Sequence, residues 1–562
     1  SKCMKVVIIG GVAGGATAAA RLRRLDENAE IIIFERSGYI SYANCGLPYY
    51  IGGEIKRRSA LTLQTPESFG RRFNIDVRVN SEVVGIDRAA KRVTVLAGGE
   101  RYTESYDKLI YCPGARPVVP EGGRGEGCFT LRTVEDAFAI DDYIKSRRPA
   151  TAIVAGGGFI GLEAAENLAA RGIKVTLVQG GRQVLPQVDY DMACFLHAEL
   201  RKNGVELRLS SRVTSIEGGK EVAVHTAGGD FSADMCVVAL GVLPDTRLAE
   251  EAGLRLGIKG AVVTDCHMRT SDPDIYAAGD AVQIVNALTG KDALFALAGP
   301  ANKQGRIAAD NICGIASRYA GGMGSSVIKV FGLTCAFTGL NFAAAERAGM
   351  DCESVTLFSA NHATYYPGAR NMTLRVLFER GSGAIKGAQS VGFDGVDKRI
   401  DVLAAAIKAG MTAYDLQELD LAYAPPYSSA KDPVNMAGYV IEDVLGGVKQ
   451  YHWQQIPQIA GERSAFMLDV RTPEEFAEGC IDGAVNIPLD ELRGRLAEVP
   501  RGGRIYVNCH SGLRSYIACR ILMAHGFDCY NLSGGYRLYA AVKGEAEAAD
   551  VPRHPCGLPV IG

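Results

Sequence analysis

Two glycine-rich segments, each between a run of β-branched residues and an alanine-rich stretch, constrain the fold of this chain more than any other feature. The first reads KVVIIGGVAGGATAAARLRRL and is followed by EIIIFER. Gly10 permits a sharp turn and Gly15 permits close packing of the helix, whose free N–H groups suit a pyrophosphate. Val12 stands where a further glycine is usual, and Glu35 follows the second strand where an acid would bind a ribose. The segment predicts a dinucleotide-binding βαβ unit.

The second segment, TAIVAGGGFIGLEAAENLAARGIKVTLVQGG, repeats this pattern with all three glycines, Gly156, Gly158 and Gly161. Two dinucleotides are therefore expected. Gln179 occupies the position of the acid, with Arg182 shortly after it. An arginine there can pair with a 2′-phosphate, although arginines in glycine-rich turns are commonly solvated. The preference between NADH and NADPH stays open.

Length and charge set the class of protein. A chain of 562 residues predicts roughly three or four domains. A charged content of 22% with a formal net charge of -2 gives no electrostatic case for nucleic acid or for a membrane surface. Fifteen cysteines without framework spacing indicate reduced thiols, and no signal peptide or membrane span is predicted, so we expect a cytoplasmic protein. No metal site is predicted, and small molecules are the expected partners.

Two of the cysteines lie in segments that suit covalent sulfur chemistry, Cys45 in SYANCGLPYY and Cys509 in VNCHSGLRS. The reactive form of cysteine is the thiolate, which requires hydrogen-bond donors, a positive field or a neighbouring cofactor. The thirteen other cysteines show no comparable pattern and are expected to be small buried hydrophobes.

Residues 4 to 445 resemble the two-dinucleotide flavoprotein disulfide reductases. TSDPDIYAAGDA is similar to their second FAD motif, and LIYCPGARP and VVALGVLPDT are similar to the strands that join their FAD and NAD domains. The resemblance implies that Asp280 contacts the ribitol and phosphate region of FAD. It also implies that hydride from the nicotinamide enters the flavin near Phe159 and Glu163.

Within that superfamily, SYANCGLPYY resembles the SFxxCGxPYY signature of the single-cysteine branch. The positions five before and five after Cys45 are Ile40 and Tyr50, so an internal dithiol of the glutathione-reductase type is not possible there. A single cysteine can cycle by pairing with an outside sulfur or by forming a sulfenic acid. The branch contains coenzyme A (CoA) disulfide reductases, persulfide reductases, and NADH oxidases and peroxidases.

The resemblance to CoA disulfide reductases also implies a substrate site. The matching CoA-binding positions are Thr17, Arg21, Arg24, Ser41, Asn44 and Lys431, although arginines on an amphipathic helix can also be merely solvated. In these reductases two tyrosines reach the redox cysteine of the partner subunit, and they match Tyr365 and Tyr423. One possible role of these tyrosines is proton donation from the phenol to a departing thiolate. The alternative role is aromatic packing at the dimer interface. A homodimer with a shared site is expected.

The segments LDVRTPEEFAEGCIDGAVNIP and RIYVNCHSGLRSYIACRILMAHGFDCYNLSGGY resemble a rhodanese domain. Cys509 follows a strand and precedes a helix, so the amides of the loop converge at a helix N-terminus and stabilise a thiolate or persulfide. Four residues separate Cys509 from Arg514, one fewer than in the cysteine-phosphatase loop, which favours sulfane sulfur over phosphate. His510 replaces a usual arginine, so the sulfur donor stays open.

The expected fold is α/β, with two Rossmann-like domains, an α+β dimerisation domain and a rhodanese domain. The predicted ranges are 1–112 with 245–320 for FAD, 113–244 for NAD(P)H, 321–445 for dimerisation, 446–454 as a linker, 455–543 for rhodanese and 544–562 as a flexible tail. The expected function is reduction of CoA disulfide, CoA persulfide or polysulfide through Cys45, with Cys509 handling sulfane sulfur. The alternatives are an NADH oxidase or peroxidase, and a rhodanese unit that serves as a docking module.

Overall fold

The computed structural model describes residues 2–295, 298–549 and 551–560. Its strands are β1 (Lys5–Ile9), β2 (Glu30–Phe34), β3 (Asp76–Arg78), β4 (Ser81–Asp87), β5 (Arg92–Ala97), β6 (Glu100–Ser105), β7 (Lys108–Tyr111), β8 (Ala115–Pro117), β9 (Cys128–Thr130), β10 (Thr151–Ala155), β11 (Lys174–Val178), β12 (Glu206–Arg208), β13 (Val213–Glu217), β14 (Val222–Thr226), β15 (Gly229–Ala233), β16 (Met235–Val238), β17 (Val242–Pro244), β18 (Ile275–Ala277), β19 (Ile284–Val285), β20 (Asp292–Ala293), β21 (Ser326–Val330), β22 (Leu333–Gly339), β23 (Cys352–Ala360), β24 (Asn371–Glu379), β25 (Ile385–Gly392), β26 (Gln450–Tyr451), β27 (Phe466–Asp469), β28 (Val485–Asn486), β29 (Arg504–Asn508) and β30 (Asp528–Leu532).

The α-helices are α1 (Gly14–Leu25), α2 (Leu47–Ile51), α3 (Pro66–Phe73), α4 (Val134–Arg147), α5 (Phe159–Ala170), α6 (Tyr190–Lys202), α7 (Arg247–Glu251), α8 (Ala298–Ile312), α9 (Phe342–Arg347), α10 (Val396–Lys408), α11 (Ala413–Glu418), α12 (Pro433–Leu445), α13 (Ile456–Ile459), α14 (Pro473–Glu478), α15 (Leu489–Leu492), α16 (Leu513–Ala524) and α17 (Gly535–Ala548). The chain forms two compact units. One contains the residues up to Gly180 together with Ser210–Met323, and the other contains Gly181–Leu209 and the residues from Gly324 onward.

The first unit contains the two glycine-rich βαβ units that the sequence predicts. A parallel sheet in the order β18, β7, β1, β2 and β3 forms around the first of them, with a core of apolar strand residues such as Val7, Ile8 and Ile32. Because β18 pairs with β7, the two separated segments predicted to bind FAD meet in one sheet. The second βαβ unit places β11, β10, β16 and β9 side by side in a second parallel arrangement.

The second unit contains an antiparallel sheet and a parallel sheet. The antiparallel sheet has the order β21, β22, β25, β24 and β23, and α10 packs on it. The parallel sheet has the order β26, β30, β29, β27 and β28, and it lies in the region predicted to be a rhodanese domain. The predicted fold class therefore agrees with the architecture.

The segment 446–454, which the sequence predicts to be a linker, contains structure of its own. Gln450 and Tyr451 form β26 and pair with β30 at the edge of the parallel sheet. Trp453 is buried, and its indole Nε1 donates to Asp191 Oδ2 at 2.9 Å. The linker prediction is wrong for this part of the segment, because a strand of two residues is too short to show a period of two.

The tail, predicted to be flexible from residue 544, is ordered over most of its described length. Helix α17 continues to Ala548, and Glu545 is buried against Arg201 and His197 of α6. Further on, Leu558 is fully buried and Cys556 nearly so. Alanine and glutamate favour a helix, and here the helix finds buried partners that the sequence of the tail alone does not reveal.

A buried ion network holds the start of α6 in this unit, although α6 falls within the range predicted for the NAD(P)H domain. Arg375 on β24 donates to both carboxylate oxygens of Asp191, at 2.6 and 2.7 Å, and to Asp189 at 3.0 Å. These ion pairs keep the pKa of Asp191 below its usual value against the opposing effect of burial.

Among the described residues, no helix combines the length and apolar character that crossing a bilayer requires.

Candidate active sites

The first glycine-rich turn has the geometry of a phosphate-binding loop. Gly10 has a φ of +99°, and a Cβ atom there would lie 1.9 Å from the carbonyl oxygen of Cys112. A Cβ atom at Gly15 would lie 1.8 Å from the carbonyl oxygen of Gly10, so both positions require glycine. The N–H of Gly11 donates to Glu35 Oε1 at 3.1 Å, which brings the predicted ribose-binding acid to the loop. Burial raises the pKa of Glu35, and bonds from the backbone oppose that shift.

The second turn reproduces this geometry and leaves room for a ligand. Cβ atoms at Gly156 and Gly161 would lie within 1.9 Å of carbonyl oxygens, whereas a Cβ atom at Gly158 would meet no heavy atom within 4 Å. That open space faces the N-terminus of α5, where N–H groups and the helix dipole attract phosphate. The N–H of Gly157 donates to Gln179 Oε1 at 3.0 Å, the same bond that Glu35 makes in the first turn. Both loops therefore fit a dinucleotide.

Replacing Gln179 with glutamate should shift the preference toward NADH. Glutamate can keep the bond from Gly157, but its charge would repel a 2′-phosphate on the ribose. We expect the KM ratio of NADPH to NADH to rise about fivefold, which corresponds to a repulsion of about 1 kcal/mol. Initial rates with the two nucleotides measure this ratio, and Gln179→Met is the control without a charge. Equal changes for both nucleotides would argue against a ribose contact at this position.

Asp280 lies just beyond β18, in the segment that resembles an FAD motif. Gly279 has a φ of +93°, and its N–H donates to Gln304 Oε1 at 2.8 Å, which fixes the turn. The Asp280 carboxylate pairs with Arg132 at 2.7 Å and stays partly exposed. Arg132 could not be predicted as the partner of Asp280, because the two residues lie 148 positions apart. The turn thus presents a carboxylate whose charge is balanced within the chain.

Cys45 lies in a single 3₁₀ turn, Asn44–Gly46, which leads directly into α2. The residue is exposed, yet the atoms packed around the thiol desolvate it and raise its pKa, and the charge of Glu163 adds to this shift. Burial and the neighbouring Glu166 in turn raise the pKa of Glu163 to about 7. The side chains around Cys45 therefore favour the thiol over the thiolate. A thiolate there needs a further stabilising group, which a bound flavin would fit.

Helix α2 is attached to α5, the helix that starts at Phe159 and carries Glu163. Arg171 Nη1 donates to the carbonyl oxygen of Ile51 at 2.8 Å and to Asp141 at 3.1 Å. At the end of α2, a Cβ atom on Gly52 would lie 2.1 Å from Asn167 Oδ1, so the helices approach closely. This packing brings the predicted nicotinamide-side residues to the segment of Cys45.

The predicted CoA-binding positions on α1 differ from one another in the structure. Arg21 forms an ion pair with the buried Asp310 at 2.7 Å, whereas Arg24 is exposed. The hydroxyl of Thr17 donates to Asn302 Oδ1 on α8 at 3.0 Å. Asn302 thus extends this polar face onto a second helix, and no motif near Thr17 could have indicated it. Of the remaining positions, Ser41 adopts a φ of +47° and Asn44 begins the turn of Cys45.

The two predicted tyrosines meet, although they lie 58 positions apart. Tyr365 is 76% exposed and Tyr423 is 51% exposed, and their hydroxyl oxygens are 3.3 Å apart. This hydrogen bond raises the pKa of Tyr365, so the phenol stays protonated to higher pH. Lys431 in the same segment is exposed. An exposed pair of phenols can present a proton to a ligand from outside.

Cys509 lies at the base of a loop between β29 and α16 and is fully buried. Its Sγ accepts a hydrogen bond from the N–H of Gly512 at 3.0 Å and lies 3.2 Å from Ser515 Oγ. Gly512 has a φ of +115°, which turns its N–H toward the sulfur. These donors suit a thiolate or a persulfide, as the sequence predicts. Ser515 was not predicted, because only the turn of the loop brings it back to the cysteine.

The guanidinium of Arg514 is paired with a carboxylate. It forms two bonds with the carboxylate of Glu475, at 2.7 and 2.9 Å. This fork lowers the pKa of Glu475 to about 2, so the pair is charged throughout the physiological range. Arg514, the arginine expected in this loop, is therefore held by Glu475, a residue that the sequence did not single out.

Replacing Ser515 with alanine should slow the loading of Cys509. The variant loses a donor to the sulfur, and a hydrogen bond to a charged group contributes about 1.5–3 kcal/mol. We therefore expect the Cys509 thiolate to be less stabilised and its loading by polysulfide at neutral pH to slow about tenfold or more. Rapid quenching and mass spectrometry of the full chain measure the rate. Ser533→Ala, a change at another buried serine, just after β30, should leave the rate unaltered; equal slowing in both variants would contradict the prediction.

Comparison with known proteins agrees with this arrangement. Residues 4–305 match the pyridine nucleotide-disulphide oxidoreductase family, residues 325–433 match the dimerisation domain of that family, and residues 453–541 match the rhodanese-like domain. The coenzyme A disulfide reductase of Staphylococcus haemolyticus is 37% identical over 78% of this chain and 100% of its own length.

Two solved structures resemble nearly the whole chain. The reduced CoADR-RHD protein of Bacillus anthracis is 47% identical with a TM-score of 0.94, covering 97% of this chain and 99% of its own. A NAD-dependent persulfide reductase from A. fulgidus is 39% identical with a TM-score of 0.90, covering 95% and 100%. A water-forming NADH oxidase from Lactobacillus brevis is more distant, at 27% identity, a TM-score of 0.76 and coverage of 79% and 99%. This chain therefore belongs to the pyridine nucleotide-disulphide oxidoreductase family and carries a rhodanese-like domain after its dimerisation domain.

Proposed function

We propose that this protein is an FAD-dependent reductase that uses NADH or NADPH to reduce CoA disulfide and CoA persulfide at Cys45, and that Cys509 handles sulfane sulfur. One observation carries the proposal: an exposed cysteine in the signature segment of the single-cysteine branch, Cys45, and a cysteine whose sulfur accepts a backbone hydrogen bond, Cys509, occur in one chain. The relatives named coenzyme A disulfide reductase and persulfide reductase support the choice of substrates.

The reaction at Cys45 is a thiol exchange followed by reduction. The Cys45 thiolate attacks one sulfur of CoA disulfide, the S–S bond breaks, and CoA thiolate leaves with a mixed disulfide remaining on Cys45. FAD, when bound, would supply the two electrons, taken from NAD(P)H, for cleavage of this mixed disulfide. The sum is NAD(P)H, a proton and CoA disulfide giving NAD(P)⁺ and two CoA thiols. With a persulfide, the products are one CoA thiol and sulfide.

The leaving thiolate needs a proton, and the exposed hydroxyl pair of Tyr365 and Tyr423 is suited to supply it. In the proposal, this pair comes from the second subunit of a homodimer, for which the dimerisation domain is the support. Protonation of a leaving group by a positioned acid contributes about 10²- to 10⁴-fold to a rate. CoA would lie along Thr17, Arg24, Ser41 and Asn44, with Lys431 reaching its phosphates.

Cys509 would deliver sulfur to this reaction. Its persulfide can pass the outer sulfur to CoA thiol, which regenerates the Cys509 thiol and forms CoA persulfide for reduction at Cys45. The hydrogen bonds from Gly512 and Ser515 support a sulfur-carrying role over a docking role, because a docking surface has no need of a cradle for an anion.

Steady-state oxidation of NADH and NADPH with CoA disulfide, CoA persulfide, polysulfide and O₂ tests the proposal. We expect the CoA-linked acceptors to give the highest kcat/KM. Oxidation of NADH by O₂ that matches the rate with CoA disulfide would contradict the proposal and favour an oxidase that cycles through a Cys45 sulfenic acid.

A further inference from the structure

A buried arginine lies beneath the two exposed tyrosines of the dimerisation domain. Arg399, in the first turns of α10, is 1% exposed. Gly395, just before the helix, has a φ of +77°, and a Cβ atom there would lie 2.2 Å from Arg399 Nη1. The backbone thus leaves room for the guanidinium at this point. A charge buried this deeply is costly unless it is fully paired.

The guanidinium connects the two segments that carry the tyrosines. Its Nη2 donates to the carbonyl oxygen of Asn361 at 2.8 Å, at the start of the segment with Tyr365. The same nitrogen donates to Asp432 Oδ2 at 3.0 Å, at the end of the segment with Tyr423. Ser428 Oγ donates to the same Asp432 oxygen at 2.8 Å, which ties the second segment down at a further point.

Little else among the described contacts holds the tyrosine rings. Both are at least half exposed, and their mutual hydrogen bond is long at 3.3 Å. Directly between the segments, the N–H of Ala363 donates to the carbonyl oxygen of Ser428 at 2.9 Å, close to the buried arginine. The distance between the two hydroxyls is therefore set by the backbone beneath them.

We propose that Arg399 is a positioning residue that holds the Tyr365 and Tyr423 hydroxyls together for proton transfer to the leaving CoA thiolate. The inference rests on the proposed function of the tyrosine pair. Arginine suits this role because its planar guanidinium donates from Nη2 to a carbonyl oxygen and a carboxylate, and from Nη1 to the carbonyl oxygen of Gly395 at 3.1 Å. Lysine offers a single head on a flexible stem and cannot reproduce this planar arrangement. A displacement of about 1 Å at a reacting group can cost about 100-fold in rate.

The test compares Arg399→Lys with the double variant Tyr365→Phe with Tyr423→Phe, and with all three changes combined. We expect kcat for CoA disulfide to fall about 10- to 100-fold in Arg399→Lys. NADH oxidation with ferricyanide, an acceptor that needs no proton from the tyrosines, should change less than about twofold. In the combined variant, kcat should fall no further than in the tyrosine double variant, because the arginine acts through the phenols.

The pH dependence separates positioning from stability. The hydrogen bond between the Tyr365 and Tyr423 hydroxyls raises the pKa of Tyr365, so its loss should move the alkaline fall of kcat to lower pH in Arg399→Lys. Arg375→Lys is the matched control, since Arg375 is also buried and ion-paired but bonds to Asp191 and Asp189. The Arg375→Lys variant should have a lower melting temperature, and its kcat should fall at the same alkaline pH as that of the parent protein.

Three results with the arginine variants would overturn the inference. They are unchanged turnover in Arg399→Lys, an additive fall in the combined variant, and an alkaline shift in Arg375→Lys equal to that in Arg399→Lys. Full turnover in the tyrosine double variant would overturn the proposed proton transfer and this inference with it. Loss of kcat in the double variant with none in Arg399→Lys would overturn only the role of the arginine.

Discussion

Replacing Cys45 with serine should abolish the reduction of CoA disulfide, CoA persulfide and polysulfide. A serine hydroxyl cannot form a mixed disulfide, and the chain has no second cysteine at the spacing of an internal dithiol. Loss of a covalent nucleophile commonly costs about 10⁴- to 10⁶-fold in kcat. Steady-state turnover with each acceptor, followed by the oxidation of NADH, measures the effect.

The same variant should still accept electrons from NADH. The glycine loops that fit the two dinucleotides make no use of the thiol, so bleaching of the flavin by NADH should proceed without the cysteine. Cys266→Ser is the matched control, because Cys266 is an exposed cysteine of the same unit outside any motif. Disulfide reduction that survives in Cys45→Ser, or is lost equally in Cys266→Ser, would show that the redox centre lies elsewhere.

Replacing Cys509 with serine should remove persulfide loading of the rhodanese-like domain. Incubation of the full chain with polysulfide should add one sulfur atom to the peptide that contains Cys509 in the parent protein and none in the variant. Polysulfide turnover should slow at least about tenfold, because the step that supplies CoA persulfide depends on this thiolate. Reduction of CoA disulfide should stay within about twofold of the parent, since that substrate arrives already formed.

The contrast between the two substrates is the decisive part of this experiment. Cys480→Ser is the control: it changes a half-buried cysteine of the rhodanese-like domain and should leave both activities intact. Unchanged polysulfide kinetics in Cys509→Ser would exclude transfer of sulfur from this domain to Cys45. A parallel loss of CoA disulfide reduction would indicate that the change disturbs the reductase itself.

The sequence predicted the parts of the sites that are local along the chain. The glycine turns follow from residues a few positions apart, since the strand, the turn and the helix are consecutive. The position of Cys509 in the loop between β29 and α16 could be predicted for the same reason. In both cases the structure adds hydrogen bonds, such as Gly157 to Gln179, that only the pairing of neighbouring strands explains.

Long-range partners could not be predicted from local patterns. Arg21 looked like a free cation for phosphate because its partner Asp310 lies 289 positions away. Arg514 was expected at the sulfur, but Glu475, on another helix, takes both of its terminal nitrogens. The linker and the tail were misjudged in the same way, because Trp453 and Glu545 are ordered by α6, a helix more than 200 positions earlier. The roles of individual site residues stay predictions that the variants above test.

The buried charges around α6 have a consequence for how this protein can be divided. A chain cut before the rhodanese-like domain would lose Trp453 and Glu545, leaving Asp191 without its indole donor and Arg201 without its carboxylate. The cut would also expose the apolar side chain of Cys194 on α6, which lies in the same buried cluster as Trp453, and such exposure disfavours the folded state. The two parts of this chain share these contacts, so a truncated reductase that misfolds would report on their loss instead of on sulfur transfer. Single substitutions of Cys45 or Cys509 in the intact chain separate disulfide reduction from sulfur transfer without this complication.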